Sequence, residues 1–453
     1  MLTDRRRFLG LAAGAAVLPV VGCAPGASTP APSAPSGAVT TDPGAIAAAT
    51  ITVMDTWTDK TSMLSQWVEA VNKAFMAKYP KITVKRSSAT FDDINKTLKL
   101  KLSDANPPDV VPANNGWQGI GTFAKAGLIR NLDAYATAYG WGSRIPATIA
   151  KQHQVSADGS KIGTGSFYGI GIAQGGFITV YYNRDKLQKL GLEVPTTFDA
   201  FNQALAAAKS GGEIPMMIGT QDQWLSTATL FALMNVYAAS GKIGDFVYGT
   251  GGAATDTGMK EAATSYQQWS TQHYLPDNFA GTSGSDAGEA FVDGKGVFYF
   301  YYSDSLPFKT KATADKFGTF LLPSQGSLQA TGASNQNFSI ATRSKAPDAA
   351  AAYLDFASSE EAGKIALTTG VTPFNGAYTA PSTAGPLLKD EVSELNAVQQ
   401  TDGFVPYFDW ASPTMLDTLG AQTQLLLAGR ITPDKLVEAC QKDYDAFKKT
   451  QGS

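Results

Sequence analysis

The alternation of short apolar runs with amphipathic stretches limits what this chain can fold into more than any other feature. Ile51-Thr52-Val53-Met54 reads as a strand. Met63 to Lys78 then places Leu64, Trp67, Val68, Val71 and Phe75 on one stripe, the spacing of a helix that buries one face. Tyr79-Pro80 stops it, because proline removes a helical donor. Lys81 to Lys85 alternates as a second strand, Phe91 to Leu102 reads as a helix broken by Asn106-Pro107-Pro108, and Asp109-Val110-Val111 is a short buried strand. The second half repeats the pattern. Thr197 to Lys209 and Leu225 to Ala239 read as helices, and Gly296 to Tyr302 as a buried strand. Pro347 stands in the first turn of a helix through Phe356, where a missing N–H costs little. Thr432 caps a last helix with Leu436, Val437, Cys440, Tyr444 and Phe447 on its apolar side, which makes Cys440 a core residue. Strands alternating with helices predict an α/β fold, with a parallel or mixed sheet and helices on both faces. Ligands meet such sheets at the loops after the carboxyl ends of strands, here after Met54 and Val111.

The start of the chain predicts an address. Arg5, Arg6 and Arg7 precede Phe8-Leu9, and the apolar run from Phe8 to Val21 is 14 residues. That is short of the roughly 20 residues a membrane span needs. A basic start, a short apolar stretch and a small-residue boundary make an export signal over residues 1–22, similar to a twin-arginine leader. Val20-Val21-Gly22-Cys23 resembles a lipobox, so cleavage is expected to leave a lipid on Cys23 and tie the protein to the outer face of the cell membrane. Residues 23–45 are rich in Pro, Ala, Ser and Gly and hold no aromatic. Such a segment is expected to remain an extended tether.

About 400 residues follow, long for one core and enough for two domains. The formal charge of −3 and the lack of a basic cluster after the leader argue against a nucleic-acid partner. The two histidines, His153 and His273, lie far apart and only two cysteines occur, so neither a metal cluster nor a disulfide framework is expected, and no cofactor. There is no Gly-x-Ser-x-Gly elbow and no phosphate-binding loop motif. Asp55, Asp59, Asp222 and Asp304 could serve a secreted glycoside hydrolase, but no spacing singles out the pair that such chemistry needs. A binding protein for a polyamine or a metal is a second alternative, and a polyamine site would want converging carboxylates among aromatics.

Four stretches carry a likeness over about residues 50 to 445. They are PPDVVPANNGWQGIGTFAKAGLIRNLDAYA, FYGIGIAQGGFITVYYNRDKLQKLGLEVPTTFDAF, EAFVDGKGVFYFYYSDSL and SKAPDAAAAYLDFASSEEAGKIALTTGVTPFN. In their order and spacing the chain resembles the extracellular solute-binding proteins of carbohydrate ABC transporters, the maltose-binding-protein-like family. The resemblance implies a two-lobe α/β periplasmic-binding-protein-like fold, each lobe a mixed sheet flanked by helices, joined by a hinge. Lobe 1 would take 46–172 plus 320–358, and lobe 2 173–319 plus 359–453, with crossings near Gly171–Gly176 and Gly318–Pro323. It also implies no catalysis, a monomer, capture of a sugar in the cleft and delivery to permease subunits.

A sugar offers flat C–H faces and a rim of hydroxyls, so its site wants aromatic faces and groups that both donate and accept. Trp57 follows the first strand, near Asp55 and Asp59. Asn114, Asn115 and Trp117 fill the second ligand loop that the resemblance implies, and Gln174 stands at the crossing. Trp224 precedes a helix beside Asp222, while Tyr302 and Asp304 end the GVFYFYY strand. Asn335 and Asn337 lie where relatives return to the cleft, and Trp410 belongs to a late aromatic loop with Tyr407. These are the expected ligand contacts. Relatives often carry small residues and a tryptophan near 301–304, where this chain has Tyr301-Tyr302-Ser303-Asp304.

Overall fold

The structure, a computed structural model, describes residues 39–172, 175–303, 306–324, 326–334, 337–374 and 376–451. Among them run twelve strands: β1 Ala49–Asp55, β2 Ile82–Ser88, β3 Val110–Pro112, β4 Gln154–Val155, β5 Ser166–Phe167, β6 Ile170–Gly171, β7 Gly175–Asn183, β8 Phe298–Tyr302, β9 Phe317–Phe320, β10 Ala330–Ser334, β11 Asn337–Ile340 and β12 Phe404–Val405. They form two five-stranded mixed sheets and a small β4–β5 pair. The first sheet has the order β2-β1-β3-β11-β6, with β1 parallel to β2 and β3, and β11 antiparallel to β3 and β6. In the second, β7 is the central strand. It pairs with β8 along one edge, and with β10 and then β9 along the other, while β12 extends the sheet beyond β10.

Local sequence accounts for most elements. The helix Met63–Lys78 is capped by the Ser62 hydroxyl, which accepts the Ser65 N–H, and it buries the expected stripe through Trp67, Val71 and Phe75. Thr90 caps Phe91–Ser103 in the same way, and Ile94, Leu98 and Leu102 form its buried face. All nine residues of β7 are buried, so its apolar run reads as a strand covered on both faces. Cys440 is buried in the core on the helix Pro433–Gln451. No helix among the described residues is long and apolar enough to cross a membrane.

The chain passes between the sheets at three places, and two of them differ from the expected boundaries. The first passage lies between β6 and β7, around 172–175. The second was expected near 320, but β9 and β10 both pair with β7, so the chain returns to the first sheet only between Ser334 and Asn337. The third was expected at 359. Yet Glu360–Thr369 packs on the helix Met63–Lys78 of the first sheet, where the Trp67 Nε1–H donates to the Ala362 carbonyl (3.2 Å). Only after Thr369 does the chain reach Pro386–Gln400, which lies on β9 and accepts hydroxyl donors from β7: Thr179 to Glu394 and Tyr181 to Glu391, both at 2.8 Å. Distant partners, such as Phe177 for Gly332 and Trp67 for Ala362, decide these boundaries, and no local pattern reports them.

Candidate ligand-binding site

The loops after β1 and β3 open onto a cavity of about 530 Å³, which also receives groups from the second sheet. The first loop is held from beneath. The Asp55 carboxylate is 1 % exposed and takes the Arg86 guanidinium on both oxygens, Nε to Oδ2 at 2.6 Å and Nη2 to Oδ1 at 3.1 Å. Oδ1 also accepts from the Trp57 N–H (3.0 Å) and the Ser88 hydroxyl (2.8 Å). Arg86 Nη2 donates as well to the Trp57 carbonyl (2.7 Å). Asp55 is thus committed to shaping the loop, and Trp57 is set against the cavity with its ring edge-on to Trp67 (5.9 Å between centroids).

The second loop is a chain of amides. Asn114 Oδ1 accepts from the Asn115 N–H (2.9 Å), and its Nδ2 donates to Gln118 Oε1 (2.9 Å). Gln118 Nε2 reaches over to Asp409, donating to Oδ2 (2.8 Å) and to the backbone carbonyl (2.9 Å). Gly116 takes φ +67°, where a side chain is strained, and a Cβ there would collide with Trp410. The close approach of this loop to the 408–411 turn therefore depends on glycine.

Five aromatic rings form an arc along the cavity. Phe91 meets Trp224 at 5.3 Å between centroids, Trp224 meets Tyr302 at 6.0 Å, Tyr302 meets Tyr407 at 6.0 Å, and Tyr407 meets Trp410 at 5.1 Å. Phe91 hangs from the first sheet's side and Trp224 from the second, so the arc bridges the two. The Tyr407 hydroxyl donates to the Gly176 carbonyl (2.8 Å), which fixes its ring. Asp409 lies between the last two rings in sequence. Burial pushes its carboxyl up to about 7, against the pull of its own backbone N–H and Gln118.

Of the residues expected to contact ligand, the cavity wall brings together Trp57, Asn114, Asn115, Trp224, Tyr302, Asn337 and Trp410. Gln174, Asp304, Asn335 and Cys23 lie outside the described residues. Trp117 is not among the residues that line this cavity. It is 5 % exposed, turned away from the cavity in the one-turn Gly116–Gln118 helix, and packed edge-on against Phe447 at 5.0 Å. Burying an aromatic contributes about 1.5–3 kcal/mol, and here the C-terminal helix supplies the cover. Asn337 reaches the wall, but its amide is already used. Oδ1 accepts from His153 Nδ1 (2.7 Å), and Nδ2 donates to the Ala113 carbonyl (2.9 Å) and the Ser339 hydroxyl (3.2 Å). That arrangement needs a proton on Nδ1, and burial holds His153 down to about 4 against the opposing pull of the Asn337 bond, so the ring is the neutral Nδ1-H tautomer. Asn337 braces the site from within.

Phe91, Tyr301, Tyr407, Asp409 and Glu391 also line the cavity, and all but Tyr407 lay outside the expected contacts. Phe91 continues the stripe of Ile94 and Leu98, so periodicity assigns it to the core. Tyr407 carried a signal as part of the late aromatic loop. Asp409 is a single acid between aromatics and carried none.

Comparison with known proteins bears on what uses such a cavity. A model of the bacterial extracellular solute-binding protein family matches residues 57–364. The multiple sugar-binding protein of Streptococcus mutans is 24% identical over 288 residues, which make up 61% of this chain and 64% of that protein, so less than two thirds of that relative is spanned. A solved chitin oligosaccharide binding protein is similar with a TM-score of 0.72 and 23% identity, over 89% of this chain and 99% of its own. The solute-binding protein RafE, solved in complex with raffinose, gives 0.66 and 20% over 88% and 100%. The two structures share this two-lobe fold. The family match extends through strands of both sheets and over more than half of the sequence, and the chain belongs to the bacterial extracellular solute-binding protein family.

Proposed function

We propose that this chain is the extracytoplasmic receptor of an ABC importer, which captures an oligosaccharide in the cavity and hands it intact to membrane permease subunits. The observation that carries this reading is the arc of rings from Phe91 to Trp410. Several aromatic faces in succession suit the C–H faces of successive sugar units, and Asn114, Asn115 and Asp409 supply polar groups for hydroxyls at one end. The cavity volume falls within the range of about 300–1,000 Å³ usual for small-molecule sites. The lobes divide at the three passages near 172–175, 334–337 and 369–374, which serve as the hinge. Ligand favours the closed form only by binding it better than the open one, and contacts such as Phe91–Trp224 bridge the two sides. No bond is broken in this role. The receptor works as a monomer.

Retention near the permease follows from the leader. Residues 1–22 direct export, Cys23 carries the lipid, and the stretch between Cys23 and Val39, which packs against the body, serves as the tether. Cys23→Ser should release the protein from the membrane fraction with saccharide affinity unchanged, whereas continued retention would count against lipid anchoring.

A thermal-shift panel tests the receptor role: raffinose, triacetylchitotriose, xylotriose, maltotriose and lactose, with each sugar analysed afterwards. A saccharide at a hundred times its dissociation constant stabilises the folded state by about 2.7 kcal/mol. At least one panel member is expected to shift the transition and to be recovered intact. Shortened products would favour the hydrolase instead, and a flat panel with a response to spermidine would move the ligand class.

A further inference from the structure

The charged groups of the cavity wall are all of one sign. Asp59, Asp92, Asp222, Glu391 and Asp409 line it, and among the described residues no lysine, arginine or histidine does. Some of these carboxylates have structural work. Glu391 takes the Tyr181 and Thr372 hydroxyls, both at 2.8 Å. Asp222 Oδ2 accepts the Gly284 N–H (2.7 Å), and Asp59 Oδ1 accepts the Thr61 N–H (2.8 Å).

Asp409 is placed differently. It is 5 % exposed, and among the described residues no lysine or arginine pairs with it. Gln118 reaches only its Oδ2. The same Asn114–Gln118 link that holds Asp409 also sets Asn115. Asn115 is 4 % exposed, lines the cavity, and has a side-chain carbonyl oxygen with no hydrogen-bond partner among the described residues. A buried acceptor left unpaired costs about 1–3 kcal/mol. Its partner is therefore expected to arrive with the ligand, and that partner must be a donor.

Building on the saccharide-receptor reading, we propose that Asn115 and Asp409 form an acceptor subsite for a ligand hydroxyl or ammonium group, and that Asp409 determines specificity by excluding acidic saccharides such as uronates. A neutral sugar gives this subsite hydroxyl donors and an amino sugar gives it ammonium donors. An acidic sugar brings a second carboxylate into a wall with no cation to meet it, and like charges in such a place repel strongly.

The probe is the strongest reducing saccharide of the panel, in two derivatives with the same open-chain end and opposite charge: the aldonate and the 1-amino-1-deoxyalditol. Calorimetry uses the full-length protein at pH 8, above the value of about 7 to which burial pushes Asp409. The amine form should bind at least tenfold more tightly than the acid, about 1.4 kcal/mol. Asp409→Asn keeps the shape of the side chain and should narrow that ratio at least threefold. Equal binding of the two forms by the unaltered protein overturns the proposal, as does an unchanged ratio in Asp409→Asn. If neutral saccharides bind and the charge ratio is absent, this inference fails alone. If no panel saccharide binds, the receptor reading fails and this inference falls with it.

Discussion

Replacing Arg86 by methionine is expected to destabilise the protein by about 3–5 kcal/mol, the usual cost of stripping one partner from a buried ion pair. The Arg86 side chain is 11 % exposed and faces the almost fully buried Asp55. Its guanidinium bonds both Asp55 oxygens, the Trp57 carbonyl and the Ser65 hydroxyl (3.2 Å), and pairs at its outer edge with Glu69 (3.0 Å). Burial alone would lower the guanidinium's hold on its proton, yet Asp55 and Glu69 outweigh it and raise that hold. Methionine fills the volume but leaves the Asp55 carboxylate with only the Ser88 hydroxyl and the Trp57 N–H. Removing both charges, as Arg86→Met with Asp55→Asn, should recover part of the loss, because the penalty lies chiefly in the orphaned charge. Denaturant midpoints measure it, and a loss below about 1 kcal/mol in the single variant would show that the pair does not hold the Trp57 loop.

The second large effect concerns the aromatic arc. Trp224→Ala is expected to weaken the panel's best saccharide at least thirtyfold, about 2 kcal/mol, in line with the loss of a central aromatic anchor. Trp224 is half-buried just before the helix Ser226–Tyr237, so the fold should survive its truncation. Tyr407→Phe is the control. It keeps the ring between Tyr302 and Trp410 and removes only the bond to the Gly176 carbonyl. Affinity should then change by no more than a few-fold. Calorimetric titration of both variants separates stacking from hydroxyl chemistry. An unaltered affinity in Trp224→Ala, with the protein folded, would remove the arc from the binding surface.

The elements were legible where the determinants are local. Met63–Lys78 shows its stripe and its stop within a short window, and the structure returns those bounds. The loops after β1 and β3 follow from strand order alone. What sequence could not report depends on distant partners. The place of 320–334 is set by pairing with β7. Trp117 stands in an Asn-rich loop and reads as a ligand face, yet Phe447 covers it from the far end of the chain. Asn337 looks available until His153 and Ala113 are placed around its amide. Asp409 gains its character from burial and from Gln118, 291 residues away. In each case the residue type was informative, and the neighbour that decides its role was not adjacent in sequence.

The most direct measurement is a crystal structure of the protein with the panel's strongest saccharide. The expected result is an intact sugar chain lying along Trp224, Tyr302, Tyr407 and Trp410, with donors directed at Asn115 Oδ1 and the Asp409 carboxylate. An intact saccharide bound elsewhere, with this arc unoccupied, would contradict it.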